Sequence, residues 1–479
     1  MTSFTATVQT TQDTIDEANE TFTLTVGNGT DVATGTATII DDDAAPTITS
    51  VSDAVVSAND ATVDEGQDAV FTVTLSNASS SATTYEFDLG GATDTAGSDD
   101  YSSSVTFSNG VTYDSETGLI TVPAGVTSFT ATVQTTQDTI DEANETFTLT
   151  VGNGTDVATG TATIIDDDAA PTITSVSDAV VSANDATVDE GQDAVFTVTL
   201  SNASSSATTY EFDLGGATDT AGSDDYSSSV TFSNGVTYDS ETGLITVPAG
   251  VTSFTATVQT TQDTIDEANE TFTLTVGNGT DVATGTATII DDDAAPTITS
   301  VSDAVVSAND ATVDEGQDAV FTVTLSNASS SATTYEFDLG GATDTAGSDD
   351  YSSSVTFSNG VTYDSETGLI TVPAGVTSFT ATVQTTQDTI DEANETFTLT
   401  VGNGTDVATG TATIIDDDAA PTITSVSDAV VSANDATVDE GQDAVFTVTL
   451  SNASSSATTY EFDLVARPIQ RAAMTTAAV

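Results

Sequence analysis

The sequence has no lysine, histidine or cysteine, and its two basic residues, Arg467 and Arg471, both lie in the last thirteen positions. Against them stand 75 acidic residues, which give a formal net charge of −73 at pH 7. A surface of one negative sign repels nucleic acid and anionic membranes, so neither is an expected partner. Without cysteine the chain can form no disulfide and offers no thiolate for catalysis or for a zinc–cysteine site. The chain also lacks any apolar run near the ~18 residues of a membrane span, so no membrane insertion is expected in this piece.

What the sequence has in abundance is repetition. A tetrapeptide that begins at Thr2 recurs at Thr127, Thr252 and Thr377, which sets a period of 125 residues with identical copies. A period of this length is a whole domain rather than one turn of a solenoid. The predicted units are a partial C-terminal part of a repeat at 1–45, complete repeats at 46–170, 171–295 and 296–420, and a partial N-terminal part at 421–464.

Both ends of the chain depart from the repeat. Met1 stands where the next copy has Val126, as expected if an internal valine codon is read as a start. After Leu464 the repeat's Gly-Gly-Ala-Thr is replaced by Val-Ala-Arg-Pro. Codons for the repeat can be chosen so that a one-base shift of the reading frame yields the new residues. We therefore expect residues 465–479 to be a frameshifted tail, and the chain to be a piece of a longer repetitive protein.

Within a repeat, apolar residues alternate with polar ones, as along a half-buried β-strand. Phe71, Val73 and Leu75 share one face of such a stretch, with threonines between them. Asn-Gly and Gly-Gly pairs supply turns, and the 37% hydrophobic content argues against the disorder that high charge alone would favour. We predict an all-β fold, a tandem array of antiparallel immunoglobulin-like β-sandwiches with about seven short strands each. The predicted core aromatics of the first complete repeat are Phe71, Tyr85, Phe87, Phe107, Phe129 and Phe147.

Acidic residues concentrate where predicted strands end. Asp166–Asp168 follows the last strand of the first complete repeat, and the acidic stretch Asp138–Glu145 precedes the strand built on Phe147. Because the end of one strand lies beside the start of its antiparallel neighbour, these two loops should meet at one pole of the sandwich. Adjacent carboxylates repel one another, and a hard cation would relieve the repulsion.

These segments resemble the Calx-beta family, the calcium-binding sandwich also found in sodium–calcium exchangers and in long bacterial surface proteins. The resemblance is carried by Glu65-Gly66, by Ala96-Gly97-Ser98 running to Asp100-Tyr101, by Asp138 with Glu142 and Glu145 before Phe147, and by Ile164-Ile165-Asp166-Asp167-Asp168. It implies calcium ligands at eight carboxylates and at one isoleucine carbonyl in each complete repeat. These ligands are Glu65, Asp100, Asp138, Ile140, Glu142, Glu145, Asp166, Asp167 and Asp168; then Glu190, Asp225, Asp263, Ile265, Glu267, Glu270, Asp291, Asp292 and Asp293; and finally Glu315, Asp350, Asp388, Ile390, Glu392, Glu395, Asp416, Asp417 and Asp418.

Two positions depart from the family's pattern. Gln137 stands where the family often has a second aspartate, which weakens the case for one ion site. The doubled Asp99-Asp100 offers two candidates for one ligand, and the sequence leaves the choice between them open.

Eight carboxylates at one pole exceed what a single ion uses, because calcium takes ~6–8 oxygens in total. Two or more bridged ions are therefore expected, and oxygen-only ligation favours calcium over zinc or copper. The alternative is a solvated acidic face without specific ion sites. Paired carboxylates such as Glu142 and Glu145 also occur in glycoside hydrolases, but no other catalytic side chain accompanies them, so we expect no enzyme.

The expected function is a calcium-binding spacer array of a bacterial cell-surface or secreted adhesin, in which calcium rigidifies the joints between neighbouring repeats. The expected location is therefore extracellular or at the bacterial cell surface, and the adhesion target is not specified by these repeats. Two alternatives stay open. One is a calcium-sensing regulatory module, as in the exchangers, and the other is an acidic halophilic wall protein without specific ion sites.

Overall fold

A computed structural model of the chain describes residues 1–56, 62–181, 187–306, 312–430 and 437–464. The predicted frameshifted tail 465–479 lies outside the described residues. Strands and turns, and no helices, make up the described part, which confirms the all-β class. Consistent with this, the described residues include no helix with the length and apolarity needed to cross a membrane.

The first complete repeat contains twelve strands within its described residues. They are β4 (Ile48–Val51), β5 (Val63–Asp64), β6 (Asp68–Leu75), β7 (Ala78–Ser79), β8 (Thr83–Leu89), β9 (Tyr101–Phe107), β10 (Thr112–Asp114), β11 (Leu119–Val122), β12 (Ser128–Thr135), β13 (Ile140–Asp141), β14 (Glu145–Gly152) and β15 (Val157–Ile165).

The other parts of the chain follow the same plan. Strands β16 to β27 and β28 to β39 have the bounds of β4 to β15 shifted by 125 and 250 residues, from Ile173–Val176 to Val282–Ile290 and from Ile298–Val301 to Val407–Ile415. The partial units contribute β1 (Ile15–Asp16), β2 (Glu20–Gly27), β3 (Val32–Ile39), β40 (Ile423–Val426), β41 (Val448–Leu450) and β42 (Ala453–Ser454).

Ten strands of the complete repeat form two sheets, rather than the seven or so predicted, because β4, β5 and β10 have only two to four residues and are too short to show periodicity. One sheet has the order β4-β6-β12-β9, and the other has the order β10-β11-β8-β14-β15-β5. Neighbouring strands are antiparallel except β15 and β5, which pair in parallel through Ile164↔Val63 and Ile165↔Asp64. The two sheets enclose one apolar core, so the repeat is an immunoglobulin-like β-sandwich and the chain is a tandem array of such units.

The core follows from the alternation of side chains along the strands. In β6 the side chains of Phe71, Val73 and Leu75 are buried while the threonines between them are more exposed. Phe71 packs edge-on against Phe147 of the other sheet, with ring centroids 5.9 Å apart. Each such fully buried phenylalanine contributes about 1.5–3 kcal/mol to stability. Of the six predicted core aromatics all are buried except Phe107, which is half-buried on the edge strand β9.

Strand direction brings the acidic loops to one end of the sandwich. Glu145, at the start of β14, lies opposite Ile164, near the end of β15. Glu65 follows β5, which pairs in parallel with that same end of β15. We call this end, from which the chain leaves for the next repeat, the acidic pole.

The remaining two short strands join consecutive repeats. Strand β13 (Ile140–Asp141) of the first complete repeat pairs in parallel with β19 (Ala203–Ser204) of the second. The Ser204 hydroxyl donates to Asp141 Oδ2 at 2.7 Å, and the Ser205 amide donates to the Asp141 carbonyl at 2.9 Å. The same pairing joins β1 to β7, β25 (Ile265–Asp266) to β31 (Ala328–Ser329), and β37 (Ile390–Asp391) to β42. Neighbouring repeats are thus connected by backbone and side-chain hydrogen bonds as well as by the covalent chain.

The covalent connection is itself held by the following repeat. Asn202 Nδ2 donates to the Ala169 carbonyl at 2.8 Å. The buried Tyr210 hydroxyl donates to the Pro171 carbonyl, also at 2.8 Å. Two side chains of the second repeat therefore fix the segment that enters it.

Candidate metal centre

Four loops supply the carboxylates at the acidic pole. Glu65 lies in the turn between β5 and β6, and Asp100 immediately precedes β9. Asp138 and Glu142 lie between β12 and β14, Glu145 is the first residue of β14, and Asp166 follows β15. All of them line one cavity, whose lining residues are Glu65, Asp100, Thr136, Asp138, Glu142, Ala143, Glu145, Ile164 and Asp166. The equivalent residues line a cavity in each of the other complete repeats.

The carboxylates form two groups within this pole. In each group one oxygen from each of three residues lies within 4.8 Å of the others. The groups of the first complete repeat are Glu65 with Asp166 and Asp168, and Asp100 with Glu142 and Glu145. The second repeat groups Glu190 with Asp263 and Asp293, and Asp225 with Glu267 and Glu270. Two neighbouring groups of oxygens match two cation positions per repeat rather than one.

Burial and mutual repulsion both act on these carboxylates. The pKa of Glu65 is raised to about 7, mainly by burial; the hydrogen bond from the Asp138 amide opposes the rise, and repulsion from Asp138, Asp166 and Asp168 adds to it. The pKa of Glu145 is also raised to about 7, mainly by burial and further by its hydrogen bond with Asp100 and by repulsion from that carboxylate. The other complete repeats have a pKa of about 7 at Glu190, Glu270, Glu315 and Glu395.

Several oxygens at the pole are buried without a hydrogen-bond donor among the described residues. In the first complete repeat these are Asp166 Oδ1 and Asp168 Oδ2, and the third has one on Glu315, a side chain only 8% exposed. Leaving a charged oxygen buried and unpaired costs more than the about 1–3 kcal/mol of a neutral polar atom. A bound cation would satisfy these oxygens, which residues 1–464 cannot do with a basic side chain because they contain none.

Short-range hydrogen bonds hold two ligand loops in shape. Asp138 Oδ1 accepts a hydrogen bond from the Ile140 amide at 2.6 Å, which closes a tight turn at the start of the loop. Asp100 Oδ2 accepts one from the Gly97 amide. In both cases one oxygen is used by the backbone, so the other oxygen of the carboxylate remains for a cation.

Gln137 connects two of the acidic loops. Its Nε2 donates to Asp167 Oδ1 at 2.9 Å and lies 3.4 Å from Glu65 Oε2. The side chain packs against Gly66, where an added Cβ would lie 3.1 Å from Gln137 Cβ and where φ is +71°. A glycine is therefore required beside the glutamine, whose amide group supplies a hydrogen-bond donor to two of the acidic loops.

The predicted ligands occupy different positions in the structure. Six of the eight carboxylates line the cavity, and Asp168 joins the group with Glu65 and Asp166. Asp167 is exposed and bonded to Gln137, and Ile140 is not among the lining residues in the described part of the chain. Of the doubled acids, Asp100 lines the cavity and Asp99 is exposed.

A comparison with known protein families agrees with this architecture. Fold and site define a protein of tandem β-sandwiches, each with an acidic pole at its exit. The Calx-beta domain model matches residues 1–44, 54–169, 179–294 and 305–418, and the chain therefore belongs to the Calx-beta family. A comparison with curated protein sequences gives no match.

Two solved structures illustrate the range of similar chains. The calcium binding domain CBD12 of CALX1.1 shares 16% identity with this chain over 45% of it and 76% of its own length, with a TM-score of 0.17. An I-band fragment of titin shares 10% identity over 78% of this chain and 99% of its own length, with a TM-score of 0.20.

Proposed function

We propose that the chain is a non-catalytic, calcium-binding spacer array in which calcium stiffens the joints between repeats. One observation carries the proposal. The loop that supplies Asp138, Glu142 and Glu145 to the acidic pole is also the loop whose strand β13 pairs with the next repeat. An ion bound at the pole therefore acts on the same few residues that form the joint.

The electrostatics give the direction of the effect. The first complete repeat has twenty acidic residues and no basic one, so its ligand loops repel one another without a cation. Repulsion between Asp166–Asp168 and the loop that carries β13 displaces the loop and loosens its pairing with Ala203–Ser204. A divalent cation replaces that repulsion by attraction and holds β13 in register with the next repeat.

The chemistry of the donors selects the ion. All side chains in the two groups offer carboxylate oxygens, and calcium accepts 6–8 oxygens in flexible geometry. Zinc and copper favour nitrogen or sulfur ligands, and the sequence has no histidine or cysteine. Two adjacent calcium ions per complete repeat, one at each group of carboxylates, are the arrangement that the geometry supports best.

The biological role extends this proposal. Identical rigid units in tandem separate whatever stands at their two ends, which suits a spacer of a secreted or surface-attached bacterial adhesin. The resemblance of the repeats to domains of long bacterial surface proteins also supports this role.

Small-angle scattering tests the proposal. The 479-residue chain should show a larger maximum dimension in millimolar calcium than in chelator, at an ionic strength that screens bulk repulsion. Ser204→Ala with Ser329→Ala removes the hydroxyl contacts to Asp141 and to Asp266 from two joints and should reduce the difference. Ser206→Ala with Ser331→Ala, two residues further along, is the matched control. An unchanged dimension in calcium and chelator would refute the stiffened joint.

A further inference from the structure

The complete repeat at 171–295 shows how tension would pass through one domain of the array. The chain enters at Pro171 and runs through β16 (Ile173–Val176) toward the acidic pole. This direction follows because β18 (Asp193–Leu200) starts near that pole and β16 is antiparallel to it. It leaves through β27 (Val282–Ile290), which also runs toward the pole. Pulling the two ends apart therefore draws β16 and β27 in opposite directions along their own axes.

This geometry loads the exit strand in shear. Strand β27 pairs with β26 (Glu270–Gly277) through eight residue pairs, from Glu270↔Ile289 to Gly277↔Val282. Antiparallel hydrogen bonds lie perpendicular to the strands, so sliding one strand along the other strains the whole row at once. Peeling from one end would instead break the bonds one at a time.

The entry segment is bonded directly to the exit strand. The Ala179 amide donates to the Thr286 carbonyl at 2.9 Å, and the Thr286 amide donates to Asp178 Oδ1 at 2.9 Å. Gly285 allows this approach, because a Cβ there would lie 2.0 Å from the Ser177 carbonyl oxygen. The entry segment after β16 and the exit strand β27, which lie in different sheets, are thus joined directly by hydrogen bonds.

The candidate ion position lies where the load leaves the domain. Asp293, three residues beyond β27, is grouped with Glu190 and Asp263. Glu190 follows β17 (Val188–Asp189), and Asp263 follows β24 (Ser253–Thr260) of the other sheet. An ion bound there connects the end of the loaded strand to both sheets, so β27 cannot slide until the ion loses a ligand.

We propose that each complete repeat is a force-bearing module and that calcium at the acidic pole raises its resistance to unfolding under tension. The inference rests on the proposed calcium binding, but it does not depend on stiffened joints. The joint itself is the weaker element, because only two residue pairs connect Ile265–Asp266 to Ala328–Ser329. Tension opens the joints before it unfolds the sandwiches.

Single-molecule force spectroscopy on the 479-residue chain tests this. The native sequence has no cysteine, so a cysteine added at each end gives unique attachment points. Three equal unfolding events are expected, each releasing about 410–450 Å of contour length less the folded length of the domain. At constant force, unfolding in millimolar calcium should be at least about tenfold slower than in chelator. Equal rates in both solutions would overturn the inference.

A variant restricted to one repeat supplies an internal comparison. Asp291→Asn with Asp293→Asn, in 171–295 alone, should make one of the three events fast in calcium while two stay slow. Glu211→Gln with Asp213→Asn removes the same charge from exposed positions of β20 (Thr208–Leu214) and should leave three slow events. Three slow events in the aspartate variant would overturn the inference.

Calorimetry of calcium binding to the unmodified chain separates the two proposals. Binding with calcium-independent unfolding rates would reject the mechanical role and leave the proposed function standing. No binding would reject both. Thermal melts of each variant in calcium establish that the substituted repeat is folded before it is pulled.

Discussion

Calcium binding at pH 7 should release protons from the acidic pole, and the number can be worked out from two glutamates per repeat. The pKa of Glu65 and that of Glu145 are both about 7. Each group is then about half protonated at pH 7, so one repeat holds about one proton on the pair. A cation favours the charged carboxylate and lowers both pKa values, so these protons leave as the ion binds. Three complete repeats should release about three protons per chain.

The sign of the pH dependence follows from the same shift. Protons compete with calcium, so the apparent affinity should fall as the pH drops through 7. At pH 8.5 the two glutamates are almost fully ionised, and about a tenth of a proton or less per repeat remains to be released. Carboxylates with ordinary pKa values would release almost none at either pH.

Titration calorimetry in buffers of different ionisation enthalpy measures the release directly. With the observed enthalpy expressed per mole of chain, the magnitude of its slope against the buffer's ionisation enthalpy is the number of protons released per chain. Glu190→Gln removes one of the raised groups and should lower the slope at pH 7 by about half a proton. Glu211→Gln, at an exposed position of the same repeat, should leave it unchanged. A slope near zero at pH 7 for the unmodified chain would show that calcium displaces no protons from these glutamates, and it would refute their assignment as calcium ligands.

Two further predictions concern stability. In chelator the free energy of unfolding should fall as the pH rises from about 5 to 7.5, because Glu65 and Glu145 bind protons in the folded state that the unfolded chain has already lost. Urea unfolding at the two pH values measures this change. Stability that rises with pH would contradict the prediction. Gly285→Ala should destabilise its repeat by about 1–3 kcal/mol, because the new methyl group would meet the Ser177 carbonyl. Gly35→Ala, the same position in the partial unit with no atom within 4 Å, should leave thermal melts unchanged.

The two-residue periodicity made the strands and their buried faces predictable. Alternation at Phe71, Val73 and Leu75 reflects a strand with one face on the core, and β6 has that burial pattern. The half-burial of Phe107 could not be predicted from this alternation. Its neighbours in sequence alternate equally well, but β9 is the edge strand of its sheet and pairs with another strand, β12, along one edge only.

The acidic pole was predictable because antiparallel strands bring consecutive loops together, whereas its connections to neighbours were not. Asp141 and Ser204 are 63 residues apart, and a strand of two residues is too short to show any periodicity. The bond from Gln137 to Asp167 spans 30 residues and joins two polar side chains that give no pattern in the sequence. Such contacts depend on tertiary placement, which local sequence does not encode.

The position of the acids gives the array a direction. Each repeat carries its ligand loops at the exit pole, and β13 reaches forward to Ala203–Ser204 of the next repeat. A repeat's own Ala-Ser strand is in turn held by the acidic loop of the repeat before it, as β7 is held by β1. In the proposed function, an ion bound in one repeat would therefore act on the joint that follows and not on the one that precedes it. Because the chain also leaves each repeat through that pole, the proposed ion, the joint and the proposed load would all act on one small group of residues around Asp138–Glu145 and Asp166–Asp168.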